Sequence, residues 1–332
     1  MSSFPRSRKE PNDPPNIGEV TDALMEFWGQ EVLDVQVALS RRVHYVEWPQ
    51  CKVMFRANSG WDGPTPPETI VRYVNHLSTR KAPAPDVIPT QSGKLYAHLR
   101  DYTISVESRL PGRDMSSNPL RFFCQIGEGL AKLHVAAREF PDHRGEMRSV
   151  KEYVTGAFQR SISRRLEKED LAAVEELQEK IENRFSDVLD SKILWLLCRG
   201  DVRTRNTLAT EDGEIRFTDF DSAAYFPALF DLVMPRIQWR MGAGPNNYLS
   251  DARMAEMLLG YLNVRVLPDV EFSAYPVVWA AYYTDRITFL LDRFIRRNRT
   301  KSSKFLREKV RDAVFFWVSF SCLPDILSGL ES

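Results

Sequence analysis

An apolar run, Ile193 to Cys198, leads directly into Arg199-Gly-Asp-Val-Arg-Thr-Arg-Asn206. A second, Ile215 to Thr218, leads into Asp219-Phe-Asp221. Between them Thr207–Ala209 and the second run flank Glu211-Asp212-Gly213, and an Asp-Gly turn between apolar runs predicts a hairpin. The order strand, polar loop, hairpin, polar loop sets an aspartate, an amide five positions on and a second aspartate at strand ends. Phosphoryl transfer needs such groups. Asp201 can orient and deprotonate a hydroxyl, and the oxygens of Asn206 and Asp219 suit Mg2+, with Asp221 a further candidate ligand.

Upstream, Ile17–Gln30 reads as an amphipathic helix. Strand-like runs follow at Val32–Leu39, Val43–Trp48 and Lys52–Ala57. A Gly/Pro-rich loop, Asn58–Pro67, precedes a helix over Glu68–Thr79. Further strands fit Asp86–Pro89 and Lys94–Arg100, with an apolar segment at Thr103–Leu110. From Asn118 the pattern turns helical: Leu120–Ala137, Glu167–Asp190, Pro227–Trp239, Asp251–Leu262, Tyr275–Arg296 and Ser303–Ser321. Strands first and helices afterwards imply an α+β fold with a small strand-rich N-lobe and a larger, mostly helical C-lobe.

Lys+Arg and Asp+Glu are each 45, so no global field draws the chain to nucleic acid or an anionic membrane. No apolar run nears the ~20 residues of a membrane span. Met1–Asn16 lacks the apolar centre of a signal peptide and reads as a flexible tail. The four cysteines are far apart, which favours buried free thiols over disulfides or a zinc site. The five histidines show no metal-binding spacing. A cytoplasmic protein, monomer or homodimer, is the expectation.

Cys198-Arg-Gly-Asp-Val-Arg-Thr-Arg-Asn206 resembles the His-Gly-Asp-x-x-x-x-Asn loop of the aminoglycoside phosphotransferase and choline kinase family, and Thr218-Asp-Phe-Asp221 its metal loop. Phe230-Asp-Leu232, Ile104–Gly112, Ile126–His134 and Ala82–Pro85 extend the likeness over roughly residues 32 to 232. The resemblance implies a bilobal protein-kinase-like fold: a tail over 1–16, a nucleotide-binding lobe over 17–107, and a catalytic and acceptor-binding lobe over 108–332. It also implies transfer of the γ-phosphate of ATP, or GTP, to a hydroxyl of a small molecule with Mg2+. Asp201 takes the base position, Arg203 meets the transferred phosphoryl group, and Asn206 and Asp219 hold the metal. Ser40, Arg56, Glu68 and Glu107 are the nucleotide-side residues: Arg56, or else Lys52 on the same strand face, supplies the third-strand cation; Glu68 is its expected helix partner; and Glu107 lies on the hinge strand. The family's loop histidine is Arg199 here.

Each piece has a plainer explanation taken alone, since Asp-x4-Asn and Asp-Gly turns are common; their order and strand context favour the kinase reading. Thr218–Asp221 also resembles the Asp-x-Asp of dehalogenase-type phosphatases, but helices rather than a Rossmann-like sheet follow it. A protein-substrate kinase is disfavoured by Leu39–Val43 standing where a Gly-rich loop would be. Residues 232–332 carry 14 Lys and Arg against 10 Asp and Glu, which argues against a strongly cationic acceptor. The basic run Arg293–Lys304 reads as a solvated helix end and loop before a phosphate- or acidic-substrate-binding patch. Tyr261, Tyr275, Trp279, Tyr282 and Tyr283 read as core before acceptor-stacking surface, with Trp239 in the same class. The alternative to an enzyme is an inactive kinase-fold protein that binds nucleotide or serves as a scaffold, motivated by Arg199 and the open choice between Arg56 and Lys52 for the third-strand lysine.

Overall fold

A computed structural model describes residues 13–38, 42–59, 65–115, 122–238 and 251–296. Contact density divides the chain into two compact units, one of residues 1–144 with 199–224 and one of residues 145–198 with 225–332.

The first unit begins with α1 (Ile17–Ala23), which Asn16 and Glu19 close with a capping box. A π turn over Leu24–Trp28 continues it, and Gly29 ends it with φ +63°. Val20, Leu24 and Trp28 are buried against a mixed-length antiparallel sheet. That sheet runs β1 (Asp34–Val37), β2 (Val43–Glu47), β3 (Lys52–Asn58), β6 (Tyr102–Ser108) and β4 (Val87–Ile88), with β5 (Ala97–Leu99) also on β6. β6 is the central strand and its first six residues are buried, as a strand flanked on both sides should be. The helix α2 (Pro67–Thr79) follows β3, buries Ile70, Tyr73, Val74 and Leu77, and starts with Pro at its first position. After β7 (Arg113–Asp114) comes α3 (Phe123–Ala137), whose Gly129 lets Phe217 approach to 3.0 Å of where a Cβ would stand.

The second unit holds β8 (Glu146–Ser149), α4 (Val150–Ile162), α5 (Lys168–Arg184), α6 (Ser186–Asp190) and β9 (Lys192–Cys198). After the segment 199–224, which carries β10 (Thr207–Ala209) and β11 (Ile215–Phe217) and ends on the first residue of β12 (Ala224–Pro227), it resumes with the rest of β12, α7 (Leu229–Gln238), α8 (Asp251–Leu262) and α9 (Asp269–Arg296). β9 lies between β12 and β8 in a three-stranded sheet and is buried from Ile193 onward. Arg164 donates to Asp285 Oδ1 at 2.6 Å, fastening the end of α4 to α9.

Several expectations change. The expected helix over Glu167–Asp190 is two helices broken at Phe185, and the helix expected from Tyr275 starts at Asp269. α4 was not foreseen; neither were β7, β8 and β12. Cys51, expected buried, is exposed in the turn between β2 and β3, whereas Cys198 is buried. Tyr261, Tyr275, Trp279, Tyr282 and Tyr283 are all core residues. Trp239, the basic run from 297 to 304 and the helix expected over Ser303–Ser321 lie outside the described residues. Among the described residues no helix is long and apolar enough to cross a membrane.

Candidate active site

Where β9 ends, Gly200 turns the chain with φ +80°. A Cβ there would lie 2.1 Å from the carbonyl oxygen of Ser222, so only glycine lets this loop approach the loop after β11. Val202 is fully buried and anchors the loop. A 3-10 turn over Thr204–Asn206 then returns the chain to β10. Asn206 thereby faces Asp201: its Nδ2 donates to Oδ2 at 2.9 Å. Arg203 Nε donates to the other oxygen, Oδ1. Both carboxylate oxygens are thus held, one by an amide and one by a cation. Burial pushes the Asp201 carboxyl above its ordinary value; Arg203 and Arg199 pull the other way, and Asp219 adds to the rise.

β10 and β11 form the expected hairpin, in the register Leu208 opposite Arg216, with Gly213 at φ +85°. The segment after β11 is tied back to the catalytic loop by a backbone hydrogen bond from Thr218 N–H to Asn206 O at 3.1 Å. Asp219 adopts φ +65°, a left-handed conformation that Asp tolerates better than most residues. Phe220 is buried edge-on against Tyr73 of α2, at 6.2 Å between ring centroids. A residue with its side chain buried follows one with a turned backbone, and this aims the Asp219 carboxylate away from the core, where its side chain is 44% exposed.

Arg56, on β3, is the sheet's cation at this site. Nε donates to Glu107 Oε2 on β6 at 2.8 Å, and Nη2 donates to Thr218 Oγ1 at 3.2 Å. Nη1 lies 3.5 Å from Asp219 Oδ1 and 3.9 Å from Asp221 Oδ1. Burial alone would lower the guanidinium's affinity for its proton, but Glu107, Asp221 and Asp219 together raise it above the ordinary value. Lys52, the competing candidate, is solvent-exposed and pairs with Glu47 at 3.4 Å. The expected partner of the cation, Glu68, needs correction. Its Oε1 accepts from Thr103 Oγ1 at 2.8 Å, and Glu107 takes the place next to Arg56. Pairing follows the sheet: Met54 faces Glu107 in the β3–β6 register, which leaves Arg56 diagonal to it on the same face. Ser40 lies outside the described residues.

One guanidinium faces three carboxylates, of which Asp219 and Asp221 keep 44% and 30% of their side chains exposed. The surplus negative charge and the all-oxygen donor set suit a hard divalent cation. With its nitrogen committed to Asp201, the Asn206 amide has its oxygen left to offer. The residues therefore fit Mg2+. The sequence did not point to Thr218 as a contact of Arg56, nor to the reach of Arg199. That side chain donates to the carbonyl oxygens of Asp201, Asn206, Thr218 and Asp219.

The chain resembles known proteins in sequence and fold. A homoserine kinase of Cupriavidus necator is 25% identical over 209 residues, covering 59% of this chain and 60% of that relative's length. Among solved structures, an amicoumacin kinase in complex with AMP-PNP and Ca2+ superposes with a TM-score of 0.65 at 13% identity, covering 90% of this chain and 94% of its own. A microcompartment-associated aminopropanol kinase gives 0.64 at 16%, covering 92% and 98%. These likenesses give the fold, an α+β kinase-like one. The sequence pattern of the phosphotransferase enzyme family matches residues 40–265, a span that takes in β3, α2, β6 and both loops, and the chain belongs to that family.

Proposed function

We propose that the protein is a small-molecule kinase that transfers the γ-phosphoryl group of ATP, or GTP, to the hydroxyl of an amino alcohol or hydroxy amino acid. The observation that carries this reading is that one unit holds the hydrogen-bonded pair Asp201–Asn206 and the ion pair Arg56–Asp219, with the Thr218 N–H bonded to Asn206 O between the two loops. The acceptor class rests on the homoserine kinase and aminopropanol kinase relatives, whose named acceptors each carry an amine and a hydroxyl.

In this mechanism Asp201 aims the acceptor hydroxyl and takes its proton as the oxygen bonds to the γ-phosphorus. The bond from phosphorus to the β–γ bridging oxygen breaks, and the nucleoside diphosphate leaves. A loose transition state asks little base strength of Asp201, so its orientation by Asn206 matters more than its proton affinity. Arg203, paired with Asp201, takes the position from which a cation would meet the transferred group. Arg56 steers phosphate oxygens from the sheet side. Asn206 and Asp219 would hold Mg2+, which when bound neutralises charge on the phosphates. The lobe assignments, 17–107 for nucleotide and 108–332 for acceptor, belong to the same proposal.

The test is an ATP- and GTP-consumption screen over homoserine, aminopropanol, other amino alcohols, sugars and aminoglycosides, with Asp201→Ala and Asp219→Ala as controls. Hydroxyl-dependent turnover that Asp201→Ala removes while Mg-nucleotide still raises the melting temperature is the expected result. Turnover unaltered in Asp201→Ala sinks the base assignment. Nucleotide binding without turnover on any acceptor favours the inactive, scaffold reading.

A further inference from the structure

Arg199 is 1% exposed, and it stands where the family carries histidine. A buried guanidinium has to be hydrogen-bonded, or it would carry a desolvation cost far beyond what packing offsets. Its two terminal nitrogens donate to backbone carbonyls on both sides of the site, while Nε makes no hydrogen bond among the described residues. Nη1 donates to Asp201 O. Nη2 faces Thr218 O, Asn206 O at 3.3 Å and Asp219 O at 3.4 Å. The rings of Phe217 and Phe220 lie 5.7 and 5.5 Å from its central carbon, within cation–π range. One side chain thus bonds the backbones of the residue in the base position, Asp201, and of both proposed metal ligands, Asn206 and Asp219. An imidazole has two ring nitrogens and could not reach four carbonyls spread over two loops.

We propose that Arg199 is a positioning residue: its guanidinium clamps the Asp201 loop to the Asp219 turn and so sets the spacing between the hydroxyl-orienting carboxylate and the metal-binding oxygens. This rests on the phosphotransfer reading for its consequence in turnover, but not for the clamp itself. Asp219 holds a left-handed backbone whose neighbouring carbonyl, Thr218 O, is one of the four acceptors, so the clamp also holds that turn against relaxation. Reverting the position to the family residue, Arg199→His, is therefore damaging here, because the four carbonyls are arranged around the two terminal nitrogens of a guanidinium.

Hydrogen exchange on the nucleotide-free protein tests the clamp. The Asn206 amide donates to Arg203 O and the Thr218 amide to Asn206 O, so both report on the loops directly. In Arg199→Ala these two amides should exchange at least about tenfold faster while amides of β2, β3 and β6 stay at wild-type rates. Turnover should fall in kcat by about 100-fold, as expected when reacting groups shift by an ångström. Methylguanidinium should restore part of it, Arg199→Lys should be intermediate, and Arg199→His should resemble alanine. Wild-type exchange at both amides, or a uniform rise across the sheet as well as the loops, overturns the clamp. So does full kcat in Arg199→His. If Arg199→Ala is not recovered folded, Arg199→Gln and Arg199→Lys carry the same comparison. If the wild type transfers phosphate to no hydroxyl, the phosphotransfer reading falls, and the exchange rates still decide the clamp.

Discussion

Arg56 Nε and Glu107 Oε2 meet at 2.8 Å with both side chains 7% exposed, so the cation at this site is paired within the sheet. Two adjacent strands carry the pair, and the position of α2 does not enter into it. Removing one member of a buried ion pair leaves an uncompensated charge, which typically costs about 3–5 kcal/mol. Asp219 and Asp221 also face Arg56 and soften that loss. Glu107→Gln should therefore destabilise the protein by about 2–3 kcal/mol, read from urea unfolding at constant slope. Glu68→Gln changes only a hydrogen bond to Thr103 and should stay within about 1 kcal/mol. A larger loss for Glu68→Gln than for Glu107→Gln contradicts the assignment of the pair.

Much of this site is legible in the chain because its parts are local. The Asp-Gly turn fixes the β10–β11 hairpin, and Asp201 and Asn206 are close enough in sequence that a single loop brings them together. The Arg56–Glu107 pair is different. It joins residues 51 positions apart through a strand register, and no local pattern encodes that register. α4 escaped for another reason. Val150, Tyr153, Val154, Ala157 and Phe158 do follow a helical period, but Val, Tyr, Thr and Gly are weak helix formers, so tertiary packing decides the element. Pro276 inside α9 hid the two turns before it, since proline more often begins a helix than interrupts one.

Gly200 and Gly93 provide a matched pair for the contact between loops. Both have left-handed backbones, φ +80° and +78°. At Gly93 a Cβ meets nothing within 4 Å, whereas at Gly200 it meets the Ser222 carbonyl at 2.1 Å. Gly93→Ala should cost only the conformational term, about 1 kcal/mol. Gly200→Ala adds a clash between two backbones and should cost about 3–5 kcal/mol, with loss of turnover even in the folded fraction. Equal losses at the two positions would mean that the loops can separate freely.

Asp219 and Asp221 differ in what they should do for a divalent cation. Asp219 Oδ1 is the closer to Arg56 and its side chain is the more exposed. Asp219→Asn should abolish the thermal stabilisation given by Mg-nucleotide, a shift that measures binding to the native state alone. Asp221→Asn should weaken it by no more than about tenfold in affinity, or 1.4 kcal/mol. A full loss in Asp221→Asn would make Asp221 a direct ligand of equal rank.

The Asp201 carboxyl combines a functional need with a stability cost. Burial raises its pKa above the ordinary 3.8, so the folded state holds this proton to higher pH than the unfolded state does. In the window from 3.8 up to the raised value, the native protein binds more protons, and stability falls as pH rises. Above that window the whole penalty is present; below pH 3.8 it is gone. Asp201→Asn is close in shape, carries no charge and can still accept from Arg203. It should therefore melt higher than the wild type at pH 7, the difference shrinking as pH falls toward 4, while turnover is lost. Calorimetry of both proteins between pH 4 and 8 checks this. A wild type that is the more stable of the two at pH 7 would mean that the bonds from Arg203 and Asn206 outweigh the burial of the charge.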